Sequence, residues 1–276
     1  MLLVAVFFMM PAVQTVQVSL LDWYGTFKTT NFLGLENYQN LLGDSSFIVA
    51  IKNTFKYFFI SVFLLFPLSI FFAISLNLIR KGKLLFQFII FAPVVLSVVV
   101  ASVMWKFIYN PNFGIINWIL ESIGLESLAR PWLGDESTAL IAIIIVTIWH
   151  GVATWIILII AGLDRIPGEL REAARLEGAN EIQIFFKITL PLLWEVLSTL
   201  IILWFIESMQ TFPFIYVMTQ GGPHGTTEVM GTYLYKMAFE GRMFSYGSAM
   251  AVVMTLIILV FSYFGNKIIK RETIEY

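Results

Sequence analysis

Glu172-Ala173-Ala174-Arg175-Leu176-Glu177-Gly178, followed thirteen residues after the glycine by Pro191 in Lys187-Ile188-Thr189-Leu190-Pro191, is a short charged stretch set between two long uncharged runs. Its residues read as helix, sharp turn, helix. Pro167 with Glu169, Glu172 and Glu177 resembles a helix start, where a fixed φ and negative charge are favoured. Gly178 stops that helix, and Asn180 with Gln183 three residues on forms a capping pair that opens a second short helix leading through Phe185 and Phe186 to Pro191. Small side chains at Ala173, Ala174 and Ala179 suit close approach to another protein's groove. The same alanines are also good helix formers, and the charges equally suit a solvated face.

The flanks decide the class. Hydrophobic residues make up 59% of the 276 positions, aromatic residues 16% and charged residues 13%, and the mean hydropathy is +0.85, well beyond a soluble domain. Because a helix needs about 20 apolar residues to cross roughly 30 Å of hydrocarbon, the uncharged runs are candidate spans. They cover residues 1–21, 57–79, 84–105, 137–163 and 243–266, and a sixth, 188–211, carries only Glu195 and Glu207. None alternates with period two, so a closed barrel does not fit. The expectation is one all-α integral membrane domain over residues 1–276, with six transmembrane helices and a hairpin, 164–191, between spans four and five.

Orientation follows the basic residues. Arg80–Leu85, Asp164–Ile188 and Lys267–Tyr276 hold ten of the seventeen Lys and Arg, which places that side in the cytoplasm by the positive-inside rule. Both termini are then cytoplasmic, and Asp22–Lys56, Lys106–Glu136 and Gln210–Arg242 are outer segments. The first run begins at residue 1, which leaves room for a preceding cytoplasmic tail. Its reading as a secretory signal lacks a basic start and a small-residue cleavage site before Asp22.

Several chemistries find no residues. Cysteine is absent and only His150 and His224 are present, so no metal centre or thiol nucleophile is expected. A net charge of −1 carries no nucleic-acid signal. No phosphate-cradling Gly-rich loop ending in Lys-Ser/Thr occurs, so nucleotide must be handled by another polypeptide. An ion-coupled secondary transporter would show an internal repeat with broken helices, and residues 1–130 and 131–276 show no convincing duplication. A membrane-embedded enzyme would need two convergent catalytic groups, for which His150 and Glu207 are the only pair.

Polar residues inside spans are costly enough to suggest a purpose. Glu207, Ser208, Gln210 and Thr211 cluster near the outer end of the fifth span, and helical spacing puts Glu207 with Gln210 and Thr211 on one face. A carboxylate there must pair, protonate or face water. Glu195, nearer the other end, can reach the interface and reads as structural. Lys106 with Trp105 and Tyr109 reads as an interfacial anchor. Ser97 and Ser102 are further candidates, although span serines commonly bond their own helix. No Lys or Arg falls within an apolar run and the best polar cluster contains a carboxylate, which favours a neutral, hydroxyl-bearing solute over a phosphate or sulfate, while helix N-termini can still bind an anion.

The pattern Glu172-Ala173-Ala174, three residues, Gly178, nine residues, Ile188-Thr189-Leu190-Pro191 resembles the EAA loop of membrane subunits of ABC importers. Met218-Thr219-Gln220-Gly221-Gly222-Pro223-His224-Gly225-Thr226-Thr227-Glu228, then Tyr233, Phe239 and Tyr246-Gly247-Ser248-Ala249, is similar to carbohydrate-type importers of the maltose-permease-like first-subunit family. So is Asn31-Phe32-Leu33-Gly34-Leu35-Glu36-Asn37-Tyr38. The maltose subunit itself carries extra N-terminal spans and a large periplasmic insert, so the closer likeness is to compact six-span members.

This resemblance implies a permease subunit in a bacterial or archaeal cytoplasmic membrane that forms half of a translocation pathway. Glu172, Ala173, Ala174, Leu176, Gly178 and Ala179 would form the coupling helix seated in an ATPase cleft. The implied partners are a second permease, two ATPase subunits that bind ATP and Mg, an extracytoplasmic solute-binding protein, sugar and lipid. The same likeness puts Ser208 and Thr211 at sugar-contacting positions and sets Trp149, His150, Gly151 and Thr154 against the cavity.

Overall fold

The computed structural model describes residues 2–25, 31–79 and 81–269. Met1, residues 26–30 of the first outer segment, Arg80, and residues 270–276 of the basic C-terminal set lie outside the described residues. The chain runs through α1 (Leu2–Ser19), a two-residue antiparallel ribbon of β1 (Leu21–Asp22) with β2 (Asn31–Phe32), and α2 (Glu36–Gly43). Next come α3 (Ser45–Leu78), α4 (Lys83–Val95), α5 (Val98–Ile108), α6 (Ile115–Ser122) and α7 (Ala139–Leu163). The remainder is α8 (Gly168–Leu176), α9 (Glu181–Met209), α10 (Pro213–Met218), α11 (Met230–Tyr235) and α12 (Phe244–Ile269). Among the described residues five helices are long and apolar enough to cross a membrane, or six if the α4–α5 pair counts as one span.

Three of the expected rods differ from a plain uncharged run. The second is longer: α3 has 34 residues, about 51 Å at 1.5 Å per residue, and starts twelve positions before Tyr57. Charge-free windows stop at Lys56, whereas the helix is fixed by its cap, since Asp44 accepts from the amides of Ser46 at 2.9 Å and Phe47 at 3.2 Å.

The third is broken. α4 and α5 meet at 101°, because Pro93 removes a backbone donor near the end of α4 and Leu96 and Ser97 are both extended. Ser97 restarts the helix, its Oγ accepting from the Val100 amide at 3.3 Å.

The fifth begins earlier than Ile188. The second limb of the hairpin does not end at Pro191 but runs on as α9, and a π turn over Phe185–Thr189 takes up the missing proline donor, with the Leu190 amide bonding Phe185 five residues back. α1 uses the same device at Ala5–Met9, just before Pro11.

Packing centres on α3, α7 and α9. α3 lies along α7, α9 packs on both and on α12, α1 lies on α12, and α10 packs on α5. Phe205 of α9 is fully buried, stacked on Phe261 of α12 at 3.5 Å between centroids and edge-on to Phe58 of α3 at 5.0 Å. Where α7 and α9 come closest, a Cβ on Gly162 would sit 3.0 Å from both Leu193 and Val196, the small-residue contact expected where lipid supplies no hydrophobic drive between helices.

The loop from Gln220 to Val229 is tied to the start of α3. Asn53 Nδ2 donates to the carbonyls of Gly225 at 3.0 Å and Glu228 at 2.9 Å, and Thr54 Oγ1 accepts from the Met230 amide at 3.0 Å. Lys236 pairs with Glu228 and donates to the Gln220 carbonyl at 2.8 Å. Gly221 is required here, having φ +83 and a Cβ position 2.3 Å from Glu228. One more tie closes this end: Asp44 Oδ2 accepts from the hydroxyls of Tyr233 and Tyr246, each at 2.7 Å.

Candidate functional site

A cavity of about 380 Å³ opens between α3, α7, α9 and the α4–α5 break. α7 lines it with Thr147, His150, Gly151 and Thr154, one face of a helix by their three- and four-residue spacing. The end of α9 supplies Trp204, Glu207 and Ser208, and Gln210 and Thr211 follow where the helix stops before Pro213. Tyr57 enters from α3, Val94 and Val98 from either side of the break, and Pro213 and Phe214 from α10.

Seven of the eight residues expected to face a cargo thus share one cavity. Trp149 does not: it packs edge-on to Trp105 at 5.4 Å, in a smaller apolar cluster with Ala142, Val146 and Phe214. Its neighbour His150 takes the cavity face because one residue along a helix is a turn of 100°. Ser97 and Ser102 are also elsewhere. Ser97 is occupied as a cap, and buried Ser102 donates to its own helix at Val98 at 2.7 Å. Lys106 donates to the Val217 carbonyl at 3.3 Å, tying α5 to α10.

His150 has a second duty. In an unbroken helix the Leu96 carbonyl would accept from Val100, but that amide is turned to Ser97. His150 Nε2 lies 3.0 Å from Leu96 O and donates to it, because a carbonyl oxygen can only accept. An orphan carbonyl at membrane depth is thereby satisfied. Phe214 holds the ring from the side, edge-on at 5.4 Å.

The rest of the cavity combines fixed and free groups. Trp204 is locked by its indole N–H, which donates to Ser61 Oγ at 2.8 Å. The Tyr57 hydroxyl lies beside Thr147 and Thr211 on the lining. Ser208 is 1% exposed and its hydroxyl has no protein partner, an arrangement that water or a ligand hydroxyl resolves. Thr211 is held by close backbone approach, since a Cβ on Gly231 would fall 2.4 Å from its carbonyl oxygen. Among the described residues Glu207 is the only charged one on the lining, with no Lys or Arg beside it.

Tyr57, Thr147 and Trp204 were not singled out by the sequence. Periodicity could have found two of them, because Thr147 lies three positions before His150 and Trp204 three before Glu207. Tyr57 comes from another helix and carries no local signal.

At the other end of α7 stands the hairpin. α8 closes with the Ala179 amide on Ala174 and the Gly178 amide on Arg175, both at 3.0 Å, with Gly178 at φ +85, a Schellman stop. Asn180 and Gln183 form a reciprocal capping box, both bonds 2.9 Å. Arg175 Nε bridges to Glu181 at 2.8 Å across the turn. Leu176 at the tip is 90% exposed.

Residues 50–273 match the family described as binding-protein-dependent transport system inner membrane component. The chain is 38% identical to the "Probable ABC transporter permease protein YurN" of Bacillus subtilis, over 96% of this chain and 91% of that protein. It is 33% identical to the trehalose/maltose transport system permease protein MalF of Thermococcus litoralis, over 94% and 87%. Its fold matches a chain of a bacterial ABC transporter involved in the import of the acidic polysaccharide alginate, with a TM-score of 0.86 at 24% identity over 99% and 92% of the two chains. With a transport family covering most of its length and a helical membrane fold to match, the chain belongs to the inner membrane components of binding-protein-dependent transport systems and is a multi-pass permease subunit of an ABC importer.

Proposed function

We propose that this permease carries a neutral saccharide and that the cavity below the 220–229 loop is where it passes. One observation carries the reading: the lining joins an unpartnered buried hydroxyl, Ser208, to a carboxylate, amide and further hydroxyls with no cation. Sugar hydroxyls can donate to Glu207, Nδ1 of His150 and Ser208, while the fixed Trp204 ring provides an apolar wall. Gly151 leaves room at that wall, its Cβ position being 3.6 Å from Trp204, and Thr154 and Gln210 add polar rim. The sugar transported by the Thermococcus relative agrees with this choice. The absence of Lys and Arg argues against a glycerol-phosphate-type solute, and a polyol is the nearest neutral alternative.

In this reading Glu172, Ala173, Ala174, Leu176, Gly178 and Ala179 seat in a cytoplasmic ATPase, one of two that bind ATP and Mg, while a second permease completes the pathway and a solute-binding protein delivers cargo outside. Both termini are cytoplasmic. Nucleotide drives transport only by binding the two membrane conformations with different free energies.

The test is uptake in cells by Ser208→Leu with Thr211→Leu, paired with a ligand-stabilisation screen of the cognate binding protein. The reading expects a neutral sugar hit and loss of its uptake with ATPase docking kept. An anionic hit, or unchanged uptake, overturns it.

A further inference from the structure

α6 is amphipathic in the wrong sense for a helix packed on a protein. Ile115, Trp118 and Ile119, at helical spacing on one side, point away from the chain, with Ile115 53% and Trp118 64% exposed. The opposite side is turned inward by Asn117, which is buried and fully used. Its Nδ2 donates to the carbonyls of Pro111 at 3.3 Å and Arg130 at 3.1 Å, while its Oδ1 accepts from Trp132 Nε1 at 2.7 Å and from the Arg130 amide at 3.4 Å. Ser122, next on the outward face, is exposed and donates its hydroxyl to the Trp118 carbonyl at 2.7 Å. The outward stripe is therefore apolar from Ile115 to Ile119 and ends at that serine.

That stripe continues an exposed apolar side of α5, one limb of the bent pair that counts as a single span. Val99, Val103 and Phe107 are exposed along one side of the apolar helix α5, and Phe107 meets Phe113, just before α6, at 6.3 Å between ring centroids. The charged groups keep to the flank and the following turn, where Glu121 and Glu126 are exposed. Arg130 turns its guanidinium over the Trp132 ring at 5.9 Å.

We propose that α6 lies in the plane of the bilayer as an interfacial anchor, at the end of α7 opposite the hairpin, with Ile115, Trp118 and Ile119 sunk among lipid headgroups and upper acyl chains. Such helices bury their apolar face about 5–10 Å into that layer, and tryptophan is favoured at this depth. With Glu121 and Glu126 on the wet side and no Lys or Arg on α6, the lipid partner is zwitterionic or neutral. The anchor fixes the depth of the end of α5, which residues 109–114 join to α6. The inference rests on the membrane reading of the spans and is independent of the cargo.

The native chain has no cysteine, so single nitroxide labels are readily introduced. Ile115→Cys, Trp118→Cys and Glu121→Cys, with Val13→Cys on α1 as a span reference, are labelled in the assembled transporter in phosphatidylcholine vesicles. Collision with oxygen, which concentrates in lipid, is compared with collision with a water-soluble nickel chelate. The proposal expects oxygen to dominate at 115 and 118, as at 13, and the ratio to invert at 121. Chelate dominance at 115 and 118 with oxygen dominance at 13 overturns it. Immobilised spectra at 115 and 118 shielded from both reagents also overturn it, by showing a protein there. Chelate dominance at 13 as well would overturn the membrane placement along with it.

Discussion

His150 shows what single side chains do in this protein. Replacing it by Leu removes the donor from Leu96 O and should destabilise the chain by about 1–3 kcal/mol, the cost of an unsatisfied buried acceptor, read as a lower melting temperature in detergent. His150→Gln, which keeps an N–H donor, should recover part of that loss; equal loss in both variants would remove the bond from the account. Asp44 makes a prediction about pH. Burial pushes its carboxyl up, but the Tyr233 and Tyr246 hydroxyls and the amides of Phe47 and Ser46 more than offset this and hold it below its ordinary value. A group depressed on folding contributes stability above its unfolded pKa and loses it as pH falls through the folded one. The tie at the start of α3 should therefore persist at neutral pH and fail only below the usual carboxylate range. Tyr233→Phe should move the acid midpoint upward, as followed by tryptophan fluorescence; an unmoved midpoint would deny Asp44 that role. Side-chain chemistry of this kind was partly legible. Glu207, Ser208 and Thr211 stood out because polar groups are rare in spans, whereas Trp149 and His150 could not be told apart without the helix phase.

Helices reveal where sequence patterns stop short. Apolar runs located every span to within a few residues wherever a run ended at a real cap, as α7 does near Asp164. They failed where charge and helix end do not coincide, as in α3, whose start at Asp44 depends on an oxygen on two amides and not on hydropathy. The 101° turn at Leu96–Ser97 was hidden because a proline three residues earlier is compatible with a kink as well as a break, and the decisive donor comes from α7. The hairpin was readable because its Gly178 stop and Asn180–Gln183 cap are local devices. At this scale Gly162→Val should weaken α7 against α9, since the Cβ position is already 3.0 Å from Leu193 and Val196. A fall in melting temperature of the assembled transporter is expected, and an unchanged value would mean that the helices part freely. Gly178→Asp adds a side chain at φ +85 and a charge at the hairpin tip; pull-down should then lose the ATPase while the spans remain inserted. Normal assembly with normal uptake would refute the hairpin's role.

Taken whole, the molecule divides along α7 into a region from the middle of that helix outward to its start and a region at its end. One holds the cavity, the tied 220–229 loop and α6; the other holds only the compact hairpin, with Leu176 projecting from its tip. α7 and α9 join the two, since α7 runs into α8 and the second limb of the hairpin is the start of α9 itself. Under the proposed function, movement of the hairpin would reach Glu207 and Ser208, near the far end of α9, through that helix. The most direct test is crosslinking from Leu176→Cys in the otherwise cysteine-free chain, within the assembled transporter. The account predicts a disulfide or bifunctional-reagent adduct to the ATPase subunit, protected from membrane-impermeant thiol reagents added outside intact cells and changed in yield by trapping the nucleotide. Labelling of Leu176→Cys from outside, or no adduct to any partner chain, would contradict it.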